Sequence, residues 1–266
     1  MTFVREIAYH QQGRAPSVQH SHTDSDCLEV IQIVSGDGTA LIHDQTYPLS
    51  PGILLFIDSS NIHALNPQEV ETYCRNKLLV RRSVMERSLQ PVGALSLLEV
   101  FDEVGGTCFA LTPELAGRVD DIFRTMAEAP GEGSVIFSSL IQLLTMLTPQ
   151  DRLYAQVPDV RVSRVLHHLH TRYAEPITIE MLAEDSHVSK YYLCRLFRNY
   201  TGMSIVQYLN EQRLSSARRL LAQTRRSITS IAQDCGFGSA SHFCALFREH
   251  EGMTPRDFRI HHSKRS

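Results

Sequence analysis

The C-terminal stretch GFGSASHFCALFREHEGMTPRDFR, residues 236–259, repeats an earlier stretch of the same chain. The earlier copy is HVSKYYLCRLFRNYTGMSIVQYL, residues 187–209, and a shift of fifty positions aligns the two. The shift places Cys194 on Cys244 and aligns the tripeptide Leu-Phe-Arg and the dipeptide Gly-Met of both copies. In each copy, apolar residues at helical spacing precede a glycine, which commonly ends a helix. The repeat therefore predicts one small helical unit that is built twice.

Both copies have the order of elements that is typical of a helix-turn-helix unit. In the first copy, Thr178 is a predicted cap for one helix, and Ser189 is a predicted cap for a second helix over residues 190–200. Ser227 and Ser239 have the same places in the second copy. Each second helix has one apolar face and one polar face, as a recognition helix in the major groove of DNA does.

The segment between the copies predicts a rigid spacer. Residues 204–224, SIVQYLNEQRLSSARRLLAQT, have a helical pattern without proline or glycine. A helix of about twenty residues spans roughly 30 Å, and successive major grooves on one face of DNA lie about 34 Å apart. The spacing favours two recognition helices that bind one duplex together. The alternative is a packing repeat of the solenoid type, but two copies are too few for a solenoid.

The charge distribution divides the chain into two parts. Residues 159–266 contain 16 Lys and Arg against 10 Asp and Glu, whereas residues 1–158 contain 10 against 19. A basic C-terminal part favours a polyanionic partner such as nucleic acid. The polar stretch 148–159, TPQDRLYAQVPD, separates two apolar helical patterns. We therefore predict an N-terminal domain over residues 1–148, a linker over residues 149–158 and a DNA-binding domain over residues 159–266.

With these motifs, residues 160–260 resemble the DNA-binding domain of the AraC/XylS family of bacterial transcription regulators. The second copy carries the signature of that family over residues 231–259. Most signature positions suit a core or a turn, so they identify the fold and do not contact bases. They are Ile231, Ala232, Gly236, Phe237, Ser239, Phe243, Phe247, Arg248, Gly252, Thr254, Pro255, Phe258 and Arg259.

Candidate DNA contacts lie on the outer faces of the two recognition helices. Arg195 is the predicted partner of a guanine, and Tyr191 the predicted partner of a thymine methyl group. Lys190, Arg198 and Arg248 are predicted to bind phosphates. The second helix is otherwise small or weakly polar, so we expect the first helix to specify sequence and the second to position the protein. For each side chain the alternative is a solvated surface residue. The predicted contacts are Ser189, Lys190, Tyr191, Cys194, Arg195, Arg198, Ser239, Ser241, His242 and Arg248.

The N-terminal part predicts a β-barrel or sandwich. Between residues 27 and 58, apolar β-branched runs are separated by Gly, Pro, Asp and Ser. This part resembles the cupin-like sensor domain that AraC/XylS regulators often carry, and the resemblance implies a small-molecule effector, commonly a sugar. The candidate effector residues are His20, His22, Glu29, His43 and His63.

Four of these residues are also candidate metal ligands. In metal-bearing cupins a His-x-His pair, a Glu and a later His hold one divalent ion, which points to His20, His22, Glu29 and His63. Six residues separate Glu29 from His22, a wider spacing than usual. A polar effector pocket, a metal site and plain barrel structure therefore remain open.

Amphipathic helices follow the barrel. Leu115, Val119, Ile122 and Met126 form an apolar stripe. The family resemblance implies that such helices form a dimer interface. The alternative is that they only cover the barrel.

The complete prediction is an α+β protein of two domains, an N-terminal cupin-like β-barrel with helices and a C-terminal all-α domain with two helix-turn-helix units. We expect a DNA-binding transcriptional regulator and an activator, not an enzyme, with no cofactor. Its expected partners are double-stranded DNA, a carbohydrate-like effector, RNA polymerase and a second copy of the chain. No apolar run is long enough for a membrane span, and we expect a cytoplasmic location. The alternative is a metal-dependent cupin enzyme or metal sensor fused to a DNA-binding tail.

Overall fold

The computed structural model describes residues 3–13, 26–58, 61–103, 106–154 and 159–263. The described residues form two compact units, one up to residue 154 and one from residue 159. The candidate residues His20 and His22 lie outside the described residues. No helix in the described ranges is both long and apolar enough to cross a membrane.

The N-terminal unit contains two antiparallel sheets. The larger sheet has the strand order β1 (Val4–Gln12), β7 (Cys74–Arg81), β2 (Cys27–Ser35), β5 (Ile53–Asp58), β8 (Thr107–Ala110) and β9 (Arg152–Leu153). The smaller sheet has the order β4 (Gln45–Leu49), β3 (Gly38–Ile42) and β6 (His63–Pro67). The helices of this unit are α1 (Arg82–Leu89), α2 (Glu99–Asp102), α3 (Pro113–Glu128) and α4 (Gly133–Met146).

Each central strand of the larger sheet is buried on both faces. Along β2, Leu28 and Val30 pack with the helices, whereas Ile31 and Ile33 pack with residues of the smaller sheet. This alternation follows from the two-residue period of a strand. It explains why β2 and β5 are continuous apolar runs in the sequence. The predicted β-rich N-terminal domain with helices is confirmed.

The apolar stripe of α3 belongs to the core of its own unit. Val119, Ile122 and Met126 are buried in the cluster between the larger sheet and the helices, and Leu115 is half-buried. Helix α3 therefore covers the larger sheet through this stripe, and its buried residues are not available as a dimer interface.

The N-terminal unit extends further along the chain than the sequence predicts. Pro149–Asp151 form a 3-10 turn, and Arg152–Leu153 form β9, which pairs with β8. The first half of the predicted linker, residues 149–153, is thus part of the N-terminal unit. A strand of two residues, Arg152 and Leu153, is too short to show an apolar period that the sequence could reveal.

The C-terminal unit is entirely helical in its described residues. Its helices are α5 (Val160–Thr171), α6 (Ile179–Asp185), α7 (Lys190–Thr201), α8 (Ile205–Gln223), α9 (Ile228–Asp234), α10 (Ala240–Glu251) and α11 (Pro255–Ser263). Helices α6 and α7 form the first helix-turn-helix unit, α9 and α10 form the second, and α8 lies between them. At 19 residues, α8 is about 28 Å long, as predicted.

Side chains of α8 tie the two helix-turn-helix units to one scaffold. Arg213 donates hydrogen bonds to the carbonyl oxygens of Tyr173 and Glu175, at 2.8 and 3.0 Å. Five residues further along α8, Arg218 forms a buried ion pair with Glu251 of α10, with 2.6 Å between Nε and Oε1. Helix α8 therefore contacts the segment ahead of the first unit and the recognition helix of the second.

Candidate DNA-binding surface and effector site

The first recognition helix, α7, is held by a cap at each end. The Ser189 Oγ accepts a hydrogen bond from the Tyr192 backbone N–H at 3.3 Å, which satisfies one of the unpaired donors of the first turn. Gly202 ends the helix with φ of 70°, a left-handed conformation that favours glycine. Leu193 and Phe197 are fully buried beneath α7. The opposite face is thereby fixed toward solvent.

The outer face of α7 carries the predicted base and phosphate contacts. Tyr191 is 80% exposed, and Lys190, Arg195, Arg198 and Ser189 are also exposed. Cys194, the remaining predicted contact on this helix, is half-buried. The structure therefore gathers all six predicted residues on one helix.

A tyrosine that the sequence analysis did not single out lies beneath Arg195. The Arg195 guanidinium is 5.9 Å from the centre of the Tyr192 ring, and the Arg161 guanidinium of α5 is 5.1 Å from it. Cations at this distance from an aromatic face are attracted by its quadrupole. Tyr192 thus restricts the positions that Arg195 samples while leaving the guanidinium exposed. The i, i+3 spacing of the pair is visible in the sequence, but Arg161 is brought close only by the fold.

The second recognition helix, α10, repeats the backbone of α7 with a different outer face. The Ser239 Oγ accepts from the His242 backbone N–H at 3.2 Å, and Gly252 ends the helix with φ of 67°. Ser239, Ser241, His242 and Arg248 are exposed. The position equivalent to Arg195 is Ala245, which is exposed and has no hydrogen-bonding side chain. Arg248 is equivalent to Arg198, so both helices keep one arginine at the same place.

Two predicted effector residues meet inside the N-terminal unit. The His63 Nε2 of β6 lies 3.0 Å from the Glu29 Oε2 of β2, and both side chains are completely buried. The Lys77 Nζ of β7 is 3.4 Å from the other Glu29 oxygen and 2.9 Å from the Glu6 Oε2 of β1. Lys77 is 3% exposed and was not predicted, because its strand gave no sign of a buried cation. Two carboxylates thus face a lysine and a histidine.

The charges of this cluster favour a protonated His63. Burial by itself lowers the pKa of a histidine, but the Glu29 carboxylate opposes burial and raises the pKa of His63 above its usual value. A carboxylate that binds a metal needs an oxygen that is open to the ion. The Lys77 ammonium group lies beside one oxygen of Glu29 and so disfavours a metal ion there. Within the described ranges, no group of three or more His, Cys, Asp or Glu side chains could hold a metal ion.

The other predicted effector residues are placed differently. His43 lies in the turn between β3 and β4 with φ of 56°, and its backbone N–H donates to the Ile62 carbonyl at 2.7 Å. Burial lowers the pKa of His43. His20 and His22 fall on residues that the structure does not describe.

Comparison with known proteins agrees with these two units. A model of the AraC-like ligand binding domain matches residues 6–144, and a model of the helix-turn-helix domain matches residues 182–260. The HTH-type transcriptional activator RhaS of Salmonella schwarzengrund (strain CVM19633) is 26% identical, over 97% of this chain and 97% of that protein. RhaS of Salmonella typhimurium matches to the same extent. Both relatives are transcriptional activators.

Two solved structures are similar to part of this chain. The DNA-binding domain of the global transcriptional factor AdpA, solved in complex with a target DNA, covers 40% of this chain and 96% of its own, with 29% identity and a TM-score of 0.39. An AraC-type regulator from Chromobacterium violaceum covers 40% of this chain and 95% of its own, with 34% identity and a TM-score of 0.37. Because the ligand-binding model alone spans more than half of the sequence, the chain belongs to the AraC family of DNA-binding transcription regulators with a ligand-binding domain.

Proposed function

We propose that the protein is a transcription activator that binds DNA through α7 and α10 and responds to a small molecule held in the N-terminal unit. The observation that carries the DNA-binding part is the pair of equally capped helices with exposed polar faces, joined by the uninterrupted α8. Two weak contacts on one rigid scaffold act together, because binding of the first raises the effective concentration of the second.

The two recognition helices have different roles in this proposal. Arg195 donates to a guanine edge and is the main source of sequence preference, whereas Lys190, Arg198 and Arg248 neutralise phosphates. Tyr191 packs on a thymine methyl group. On α10, the small or weakly polar side chains of Ser239, Ser241 and His242 contact DNA and position the second helix-turn-helix unit. Cys194 and Ser189 complete the surface of α7.

Arg195→Ala is expected to weaken binding to a selected operator by roughly 10- to 100-fold, since one bidentate contact discriminates bases by about 1–3 kcal/mol. The substitution gives α7 the side chain that α10 already has at Ala245. Base preference should relax at one position of the site. The measurement is fluorescence anisotropy with operators from in vitro selection, each with one base pair changed.

The matched control is Arg248→Ala, which removes a predicted phosphate contact. It should weaken binding to all sequences alike. The slope of log affinity against log salt concentration should become shallower by about one, because one phosphate contact is lost. An Arg195→Ala protein with unchanged base preference would exclude Arg195 as a base contact and assign it to the phosphate group.

For the effector, we propose a polar molecule rich in hydroxyl groups, such as a carbohydrate, bound by residues around Glu29 and His63. The support is the buried set of charged side chains within an otherwise apolar interior, where polar groups can orient a ligand. His20, His22 and His43 are proposed to complete the site. The position of Lys77 beside Glu29 disfavours the metal-dependent cupin enzyme or metal sensor, and we propose no enzymatic activity.

A thermal-shift screen of the full chain with sugars, sugar acids and divalent metals tests the effector site. Ligands that bind the native state raise the melting temperature. We expect a sugar to do so in the wild type and in His261→Gln, whose histidine is exposed on α11, but not in His63→Gln. A response to metals alone would replace the carbohydrate proposal with metal sensing.

Further parts of the proposal rest on the family. The N-terminal unit binds the effector, and the part of the predicted linker 149–158 that follows Leu153 connects it to the DNA-binding unit. The protein acts as a homodimer that contacts RNA polymerase. Because the α3 stripe is buried in its own unit, the dimer must use another face. Since bacterial DNA lies in the cytoplasm, the proposal places the protein there.

A further inference from the structure

A cleft in the N-terminal unit lies on the helix side of the larger sheet, away from Glu29 and His63. Its volume is about 270 Å³, and its walls come from β8, the residues around α2, the C-terminal end of α4 and the segment 147–152. We call it the β8 cleft. It is distinct from the effector site proposed above, which lies between the two sheets.

The walls of the β8 cleft are mainly apolar. Leu97, Val100, Phe109, Leu144 and Leu147 line it, and all five pack at the border of the hydrophobic core. Clefts of this kind bind the apolar body of a small organic molecule, because its transfer from water removes apolar surface on both sides.

One buried hydroxyl group in the cleft lacks a partner. Thr107 lines the cleft and is only 2% exposed. Its Oγ1 has no hydrogen-bond partner among the described residues. Phe56 pairs with Thr107 in the neighbouring strand, and Phe109 shares its face of the sheet. A buried hydroxyl without a partner costs free energy that a hydrogen-bonding ligand can recover.

The charged residues of the cleft disfavour an anionic ligand. Arg152 of β9 is already paired with Glu103, and Glu99 adds a second carboxylate to the lining. A carboxylate ligand would have to displace Glu103 and would be repelled by Glu99. An uncharged ligand meets neither cost.

We propose that the β8 cleft binds a small uncharged organic molecule with an aromatic or branched aliphatic body and one hydroxyl or carbonyl group, which hydrogen bonds to Thr107. Thr148, Pro149 and Arg152 also line the cleft. These residues lie close to the C-terminal end of the described part of the N-terminal unit, which ends at Tyr154. A bound molecule would therefore stabilise the end of the sensor that leads into the linker.

The test compares two probes of similar shape, benzyl alcohol and toluene, by equilibrium binding to the full-length protein. Benzyl alcohol should bind up to roughly tenfold more tightly than toluene, the contribution of one hydrogen bond. Thr107→Val has the same shape without the hydroxyl group, so it should abolish this preference and leave the toluene affinity unchanged. Thr125→Val, at an exposed threonine of α3, should retain the preference.

Two more measurements can overturn the assignment. Leu144→Trp fills the cleft and should eliminate binding of both probes. If both probes still bind to a folded Leu144→Trp protein, or if Thr107→Val keeps the preference for benzyl alcohol, the site is elsewhere. Benzoate should bind more weakly than benzyl alcohol, and the opposite order would overturn the uncharged class of ligand.

Discussion

Replacing Arg218 with methionine is expected to lower the free energy of unfolding of the C-terminal unit by about 3–5 kcal/mol. Arg218 Nε donates to Glu251 Oε1 at 2.6 Å, and its Nη2 lies 3.6 Å from Glu211 Oε2. All three residues are 2–3% exposed. Arg218→Met therefore leaves two carboxylates buried with one cation fewer, although His250 still contacts Glu211 at 2.8 Å.

The destabilisation should depend on pH in a defined direction. Burial raises the pKa of the Glu251 carboxyl, and Arg218 opposes this by favouring the charged form. Without Arg218 the pKa of Glu251 must rise further. The folded variant then binds protons more readily than the unfolded chain, so its stability falls as pH rises. We expect the difference from the wild type to be smaller near pH 5 than near pH 7.5.

Denaturant unfolding followed by far-ultraviolet circular dichroism measures this effect. The control is Arg219→Met, which removes a neighbouring exposed arginine from the same helix. Exposed charges contribute little to stability, so the control should remain within about 1 kcal/mol of the wild type. Equal stability of the two variants would show that the Arg218 network does not hold α10 on α8. Loss of that contact should also weaken DNA binding, because the two recognition helices would no longer share a rigid scaffold.

Gly236→Ala has the second large expected effect. Gly236 has φ of 82°, and a Cβ there would lie 2.7 Å from the Ala174 carbonyl oxygen and 2.8 Å from the Tyr173 carbonyl oxygen. The left-handed backbone costs a non-glycine residue about 1–2 kcal/mol, and crowding in a packed interior adds about 1–3 kcal/mol. We expect the free energy of unfolding to fall by about 2–5 kcal/mol in total, because both close contacts are with backbone atoms that cannot rotate away.

Gly252→Ala is the matched control for Gly236→Ala. Gly252 has a similar φ of 67°, but no atom lies within 4 Å of a Cβ built there. It should lose only the backbone contribution of about 1–2 kcal/mol. Denaturant unfolding measures the loss of stability. A second measurement compares the affinity for an operator that both recognition helices can contact with the affinity for a half-site that only one of them can contact. Equal losses in both variants would mean that the turn of the second unit does not pack closely on residues 173–174.

The sequence by itself determined the repeated helical units and their ends. Thr178, Ser189, Ser227 and Ser239 all accept the predicted capping hydrogen bonds. These contacts join residues three positions apart, so local spacing is sufficient to predict them. Short apolar runs separated by turn residues likewise predicted the sheet-rich unit, and the 3.6-residue apolar period predicted the helical unit. The ten DNA-contacting residues stay a prediction, and each lies exposed or half-buried on its helix.

Only the tertiary structure decided which distant residues meet. Lys77 reaches Glu29, Arg218 reaches Glu251, and Arg161 reaches Tyr192, although none of these pairs is local in the sequence. The α3 stripe shows the same limit, because periodicity predicts a buried face but not whether the same chain or a second copy covers it. Which residues contact one another depends on how whole helices and strands pack. That packing is set by the burial and pairing of the entire chain, and the spacing of residues within one segment does not contain it.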